Sequence, residues 1–321
     1  MTKTKLKVLI VIIILISFVI VVKNKKIENY PQNTIDVIVA YKEGGGTDIG
    51  TRLLLKEIQK YFPISFNIKN IPGKNGEIGY STILGAKPDG YTIGVINFPN
   101  FLSLSLQKKI EYSKDDMEII VNYIYDSGVL IVNLNSKWKN LEEFILEAKK
   151  NPRKITLGNN GIGMSNHLGG IMLENEAGIE FIHTPFSSSS DILEALEKDY
   201  IDAAIVKISE VGDVDRKFQI LASFTEERLE IIEDIPILKE KGYDVILGST
   251  RAFVVPKGTP RQILEKLREI FKKGIRSYEN IENFKKIGLN IKYIEADEMK
   301  SCIEEEEKKL KNILLKLNKF Y

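Results

Sequence analysis

Short apolar runs along this chain alternate with segments in which apolar residues recur at helical spacing. The run from Ile35 to Ala40 is apolar except for Asp36 and predicts a buried strand. Apolar residues then recur at helical spacing from Ile49 to Ile58, which predicts a helix. Because this alternation continues through most of the chain, the sequence predicts an α/β fold whose layers surround parallel sheets.

The stretch between the first strand and the first helix contains three consecutive glycines. A helix start presents unpaired N–H groups and a partial positive charge, and glycines let an anion approach the backbone closely. The stretch therefore predicts an anion-binding turn in which Thr47 or Asp48 can cap the helix; a tight turn that binds nothing is the alternative. The spacing fits neither a dinucleotide fingerprint nor a Walker phosphate loop. The candidate binding residues in this turn are Tyr41, Gly45, Gly46, Thr47 and Asp48.

Further along, the pattern predicts strands at residues 64–71 and 91–96, with a helix over residues 77–86 between them. The second of these strands leads into the loop from Asn97 to Phe101. Phe98 and Asn100 are candidate binding residues in this loop, because α/β sheets bind ligands at the C-terminal ends of their parallel strands. Residues 117–132 are largely apolar and predict either two strands or one long bent strand.

A second strand, glycine turn and helix follow at residues 155–172. Gly163, Met164, Ser165 and His167 are the candidate binding residues of this turn. Phe186, Ser187 and Ser188 are further candidate binding residues, and the serine run to which the last two belong can cap a helix and offer hydroxyl groups to a ligand. Another strand ends at Lys207, whose side chain is predicted either to point into a cleft or to end in solvent.

The two glycine turns each have their own set of strands and helices. This arrangement predicts two α/β lobes that each present a helix N-terminus to a shared cleft and close by a hinge motion. Residues 163–167 come close to the nucleophile motif of a serine hydrolase but carry His167 where the last glycine belongs. A hydrolase takes its histidine from elsewhere in the fold, and His183 is the only other histidine.

The N-terminal residues form a targeting signal by composition. Fifteen residues, Val8 to Val22, are apolar except for Ser17 and are flanked by lysines. This length suits a secretory signal, which we expect to direct export; without an A-x-A-like cleavage site, the segment is either cleaved or kept as a tether. Residues 1–26 hold six lysines and no acid, so the remainder carries 40 basic and 44 acidic residues, a net charge of −4. The exported part therefore has no basic excess to suggest nucleic-acid binding.

The single cysteine, Cys302, lies in a charged C-terminal segment, so a disulfide within the chain and a cysteine-rich metal site are both excluded. No pair or cluster of residues has the spacing of a metal site or of a catalytic centre. We therefore expect no cofactor, no metal and no catalytic activity.

Several motifs in order resemble those of one known family. They are G-G-G-T-D-I, I-P-G-K-N-G-E-I-G and K-P-D-G-Y-T-I-G near the first strands, then Gly161–Leu168, Ile235–Leu238 and Val255–Pro260. Together they are similar to the extracytoplasmic solute-binding receptors of tripartite tricarboxylate transporters, over about residues 33–315.

The resemblance implies a two-lobe periplasmic-binding fold of the second type. Residues 1–26 would be the leader, residues 33–125 and 222–321 would form lobe 1, and residues 126–221 would form lobe 2. It also implies a monomeric receptor outside the cytoplasm that captures a small carboxylate, either a di- or tricarboxylate or an acidic amino acid, and delivers it to a membrane permease. The backbone amides of both glycine loops, with water, would hold one carboxylate.

The chain departs from the family pattern in two places. Ser187 and Ser188 replace a lysine and a glycine of the third binding loop, and Lys42 and Glu43 replace small or apolar residues of the first. These departures leave the identity of the ligand open. Two alternatives from other classes also stay open, a secreted hydrolase of anionic esters and a ligand-binding sensor.

Overall fold

The computed structural model describes residues 29–107, 110–211, 217–287 and 289–317. The predicted leader, residues 1–26, lies outside these ranges. Among the described residues, no helix is both long enough and apolar enough to cross a membrane.

The strands and helices alternate through most of the chain, as the apolar pattern predicted. The strands are β1 Ile35–Val39, β2 Phe66–Asn70, β3 Thr92–Phe98, β4 Met117–Asn133, β5 Thr156–Asn159, β6 Ile182–Pro185, β7 Ala203–Lys207, β8 Phe218–Ser223, β9 Gly248–Pro256 and β10 Asn290–Ile294. The helices are α1 Gly46–Tyr61, α2 Glu77–Leu84, α3 Asn100–Gln107, α4 Leu141–Lys150, α5 Ser165–Ala177, α6 Ser189–Glu197, α7 Ile208–Val211, α8 Arg261–Ile275, α9 Tyr278–Lys286 and α10 Ala296–Leu317.

Strand β4 connects two half-sheets. Its residues 117–127 pair antiparallel with β9, and part of this stretch also pairs with β10. Its residues 128–133 pair antiparallel with β7 and β8. Of the two possibilities that the sequence left for this segment, the structure has one long strand, with irregular pairing near Val121 and Ile124.

Each half-sheet is built around parallel strands. In the first half-sheet, β1 lies between β2 and β3 and is parallel to both. In the second half-sheet, β5 lies between β6 and β7 and is parallel to both. The glycine turns follow the C-terminal ends of β1 and β5 and lead into α1 and α5. Both turns therefore lie at the edge where parallel sheets bind ligands.

Helices cover both faces of each half-sheet. Val37 of β1 packs in one apolar cluster with residues of α1 and α8, while its neighbour Ile38 packs in another with residues of α2 and α10. In the second half-sheet, Leu130 and Ile131 of β4 likewise enter different clusters. Successive strand residues point to opposite faces, so burial on both faces explains the nearly continuous apolar runs of these strands.

The packing of residues 224–247 bears on the predicted lobe boundaries, which remain a prediction. Phe224, Leu238 and Leu247 pack in the same apolar cluster as Leu130 of the second half-sheet. Pairing with the first half-sheet resumes at Gly248, the first residue of β9. We propose that lobe 2 extends to about residue 247 rather than ending at residue 221.

Candidate functional site

A cavity of about 470 Å³ lies where the two glycine turns approach each other. This volume is within the range typical of cavities for small ligands. The residues that line it come from both half-sheets and from the loops after their strands. Those that the sequence predicted as binding residues are Tyr41, Gly45, Gly46, Thr47, Asn100, Met164, Ser165, Ser187, Ser188 and Lys207.

The first turn leads into α1, whose N-cap residue is Gly45 and which has no side-chain cap. The prediction that Thr47 or Asp48 caps this helix is therefore wrong, because the helix already begins at Gly46. Gly46 and Thr47 are its first two residues, and their N–H groups have no partner within the helix. The hydroxyl oxygen of Thr47 accepts a hydrogen bond of 2.8 Å from Nδ2 of Asn97, the last residue but one of β3.

Asp48 supports the first turn from behind and does not line the cavity. Its carboxylate accepts hydrogen bonds from the backbone N–H of Gly44 at 3.0 Å, from Nε of Arg52 at 2.9 Å and from Nδ2 of Asn70 at 3.0 Å. These bonds tie the turn to its own helix and to the end of β2. Asp48 therefore contributes the shape of the turn rather than a group that faces a ligand.

The second turn leads into α5, whose N-cap residue is Met164. The N–H of Ser165, the first residue of α5, donates to Oδ1 of Asn100 at 2.8 Å. Nδ2 of Asn100 donates to the hydroxyl of Tyr41 at 3.3 Å. Because Tyr41 belongs to the first turn, Asn100 joins the two turns at the cavity through its side-chain amide.

His167 lies beneath the second turn and outside the cavity lining. Its Nδ1 accepts a hydrogen bond of 3.1 Å from the N–H of Gly163, and its ring centre is 4.6 Å from that of His183. Burial, together with the neighbouring His183, lowers the pKa of His167 to about 4. The ring is therefore neutral at pH 7, which lets it accept the hydrogen bond from Gly163.

Three other predicted residues do not line the cavity either. Phe98 is fully buried and packs against Phe101 with a distance of 5.8 Å between ring centroids. Gly163 lies against α3, where its carbonyl oxygen accepts a hydrogen bond of 2.5 Å from Ser103. Phe186 is half-buried and packs against the apolar cluster of the second half-sheet. Each of these residues supports the walls of the cavity by packing.

Two buried cationic side chains line the base of the cavity. Lys207 ends β7 and is 4% exposed, and Arg251 lies in β9 and is 2% exposed. One Nη of Arg251 pairs with the carboxylate of Asp126, which also accepts a hydrogen bond of 2.5 Å from the hydroxyl of Ser209. Nε and the other Nη of Arg251, and Nζ of Lys207, have no hydrogen-bond partner among the described residues.

Burial sets the protonation of the groups around these cations. It lowers the pKa of Lys207 to about 8, although the nearby carboxylates of Asp126 and Glu210 favour its charged form. Burial also raises the pKa of Glu210, whose carboxylate accepts a hydrogen bond of 2.9 Å from the backbone N–H of Lys207. At pH 7 Lys207 is therefore mostly charged, and two buried cations with donors that no described residue uses lie at the cavity.

Several lining residues were missed by the sequence reasoning. They include Asn75, Asn97, Asn160, Asn166, Asp191, Glu210, Ser249 and Arg251. The signal for Arg251 is its position directly before the apolar run from Ala252 to Val255, because a charged residue is rarely buried in a strand unless it is paired or has a function.

Within the described ranges, no group of three or more His, Cys, Asp or Glu residues could hold a metal ion. The same cavity contains helix N-termini, buried cations and many amide and hydroxyl groups. This combination suits the binding of a polar organic anion.

Comparison with known proteins agrees with this geometry. The model of the TctC family, the tripartite tricarboxylate transporter family receptor, matches residues 51–319. A UPF0065 protein in the gbd 5′ region of Cupriavidus necator is 29% identical over 292 residues, which cover 90% of this chain and 89% of that protein.

Solved structures share the fold. A TctC solute-binding protein from Polaromonas has a TM-score of 0.71 and 27% identity, with 90% of this chain and 100% of that chain covered. The MatC protein of Rhodopseudomonas palustris with bound malate has a TM-score of 0.80 and 21% identity, with 88% and 99% covered. The predicted two-lobe periplasmic-binding fold of the second type, with a ligand cleft between the lobes, is confirmed.

Proposed function

This chain belongs to the tripartite tricarboxylate transporter receptor family, and from this premise we propose that it captures a small carboxylate outside the cytoplasm and delivers it to a transporter permease. The family is one of solute-binding receptors, and a neighbour of the same fold has malate bound. The ligand class that we propose is a di- or tricarboxylate or an acidic amino acid.

One observation carries the proposal, the presence of the starts of α1 and α5 at a single cavity. Helix starts favour anions through their free N–H groups and the helix dipole, an effect of about 0.3–1 kcal/mol per helix and up to about 2 when partly buried. Gly46 and Thr47, at the start of α1, and Ser165 and Asn166, at the start of α5, all line this cavity.

The N–H groups of the second turn can bind a ligand only after two asparagine side chains release them. The N–H groups of Ser165 and Asn166 donate to Oδ1 of Asn100 and Oδ1 of Asn160, at 2.8 Å and 3.1 Å. An amide oxygen is a weaker acceptor than a carboxylate oxygen, since hydrogen bonds to charged acceptors are about twice as strong. A ligand carboxylate would therefore replace these oxygens at the start of α5.

We propose further that the ligand leaves unchanged, as expected of a receptor. The hydroxyl of Ser165 donates to Oδ1 of Asn166 at 3.4 Å, and the ring of His167 accepts from the backbone of Gly163 instead. A serine nucleophile needs a histidine within hydrogen-bond reach, and this arrangement does not favour one. Incubation of each bound acid and of its ethyl ester with the protein, followed by mass spectrometry, would detect any conversion.

Calorimetric titration of residues 29–321 with di- and tricarboxylates and acidic amino acids tests the proposal. We expect one site per chain for at least one acid. The uncharged dimethyl ester of the same acid is the control, and it should not bind because the proposed site recognises the anion. If no acid binds, or if ester and acid bind equally, the proposed function is wrong.

Location and partner need separate measurements. N-terminal sequencing of the native protein should give a start at about residue 20–30 after cleavage of the leader, or Met1 on membrane-associated protein. Native protein free in the cytoplasm would contradict both versions. Light scattering of the purified protein tests the proposed monomer, and uptake of the labelled acid by cells with and without the receptor tests delivery to a permease.

A further inference from the structure

Asn100 places its side-chain amide at the start of a helix from the other half of the molecule. It is the first residue of α3, which follows β3 of the first half-sheet, and it is 5% exposed. Its Oδ1 accepts a hydrogen bond of 2.8 Å from the N–H of Ser165, the first residue of α5. Both residues line the cavity. The bond therefore links the two half-sheets at the place where a ligand would bind.

The N–H of Ser165 is one of the groups that make the start of α5 suitable for an anion. The first N–H groups of a helix have no acceptor within the helix, so an acceptor from outside must supply the bond. Here the amide oxygen of Asn100 is that acceptor. Because one N–H supplies a single donor, the amide oxygen and a ligand carboxylate compete for the same hydrogen bond.

The other end of the Asn100 amide can be released at little cost. Its Nδ2 donates to the hydroxyl of Tyr41 over a long distance of 3.3 Å. That hydroxyl is also bonded to the hydroxyl of Tyr80, at 2.7 Å. Since a hydroxyl group can both donate and accept, Tyr41 keeps a hydrogen-bond partner when the Asn100 side chain turns away.

Contacts other than the amide hold α3 against the second glycine turn. The hydroxyl of Ser103 donates to the carbonyl oxygen of Gly163 at 2.5 Å. Met164, the N-cap residue of α5, packs in the same apolar cluster as Phe101 of α3. Release of the N–H of Ser165 therefore requires the rotation of one side chain and not the separation of α3 from the turn.

We propose that Asn100 is a built-in competitor of the ligand, whose amide oxygen occupies the N–H of Ser165 until a carboxylate displaces it. This inference rests on the proposed function, because it requires an anion that binds at the start of α5. A carboxylate displaces the amide because hydrogen bonds to a charged acceptor are about twice as strong. Only molecules whose Asn100 has turned away can bind, so the strength of this internal bond lowers and sets the affinity of the receptor.

Truncation of the competitor should tighten binding. In Asn100→Ala the ligand no longer has to replace an internal hydrogen bond, and its affinity for an acid that binds the parent should rise about two- to tenfold in calorimetric titration. A residue that contacted the ligand directly, or that shaped the turn, would weaken binding when truncated. Equal or weaker binding by folded Asn100→Ala would therefore overturn the inference and leave the proposed function intact. If the parent binds no acid, both are wrong.

A second variant of Asn100 changes the affinity in the opposite direction. Asn100→Asp keeps the size of the side chain but offers Ser165 a charged acceptor that also repels the ligand, so the affinity should fall at least tenfold. Unchanged or tighter binding by this variant would contradict the proposal. Asn175→Ala is the matched control, because Asn175 is exposed on α5 and donates to the carbonyl oxygen of Ile171 at 2.9 Å. It should bind as the parent does, and urea denaturation shows whether each variant is folded.

Discussion

Replacement of Gly46 by alanine should lower both the affinity for the ligand and the stability of the protein. A Cβ atom at this position would lie 2.6 Å from Oγ of Ser209 and 3.0 Å from Nη2 of Arg251. Neither side chain can move freely, because both are bonded to the buried carboxylate of Asp126. The added methyl group would therefore push the guanidinium group away from the start of α1.

The effect of the added methyl group on stability is the difference between the cost of overpacking and the gain in helix propensity. Overpacking of a buried site by one methyl group costs about 1–3 kcal/mol of unfolding free energy, and the higher helix propensity of alanine offsets up to about 1 kcal/mol. We therefore expect a net loss of about 1–2 kcal/mol in the free energy of unfolding. Since the variant both displaces Arg251 and places a methyl group beside the N–H groups of α1, its affinity for the acid should fall at least tenfold, about 1.4 kcal/mol.

Gly44 in the same turn provides a control of similar stability. Gly44 has a φ of +80°, and a Cβ atom there would meet nothing within 4 Å. Gly44→Ala should therefore lose about 1 kcal/mol through the left-handed backbone conformation alone, and Gly44 does not line the cavity. Urea denaturation measures the stability of both variants, and calorimetric titration measures their affinity. If the two variants lose equal affinity, or if Gly46→Ala binds as well as the parent, the placement of Arg251 at the binding site is wrong.

The strands, helices and glycine turns of this fold could be predicted because their signals are local. The run from Ile35 to Ala40 and the glycines after it specify a strand, a turn and a helix without reference to any other part of the chain. The same is true of residues 155–172. The exact start of α1 could not be predicted from the sequence, because Gly45 is the N-cap only through its extended backbone, with φ −76° and ψ 161°. No side chain marks that position in the sequence.

The base of the cavity could not be predicted in the same way, because it depends on long-range strand pairing. Arg251 lies opposite Asn97 in the antiparallel pair of β3 and β9, and its partner Asp126 is 125 positions away in the chain. Sequence periodicity indicates that β9 is a strand but not which strand lies beside it. Lys207 could be predicted as a cleft residue only because it ends a strand whose C-terminal end faces the ligand edge. Arg251 approaches the same edge from an antiparallel strand, so that rule does not apply to it.

Three further predictions concern titratable groups. Lys207→Met should weaken the binding of a diacid by at least about tenfold and that of a monoacid of equal length much less, since a buried cation is lost. The side chain of Lys42 also lines the cavity but is 58% exposed, so Lys42→Met is the control. It should change the binding free energy of the diacid and of the monoacid by less than about 1 kcal/mol. In the parent protein, the affinity for a diacid should fall as the pH rises through the pKa of Lys207, about 8, because the lysine loses its charge. The Lys207→Met variant should not show this fall. If the affinities of parent and variant depend on pH in the same way, Lys207 does not bind the diacid. His167→Asn should flatten the dependence of stability on pH between pH 7 and pH 5.

The last of these predictions follows from the low pKa of His167, about 4 in the folded protein against 6.5 for a free histidine. Between these values the unfolded chain binds more protons than the folded one, so stability is full above about pH 6.5 and falls as the pH decreases toward 4. From pH 7 to pH 5 the contribution amounts to about 2 kcal/mol. Asparagine can still accept the hydrogen bond from Gly163 through its Oδ1 but does not titrate, so it should preserve the second turn while removing this loss. Urea denaturation of parent and variant at both pH values measures the difference, to which the carboxylates of the two proteins contribute equally. If the two proteins lose the same stability between pH 7 and pH 5, His167 is not held neutral beneath the turn.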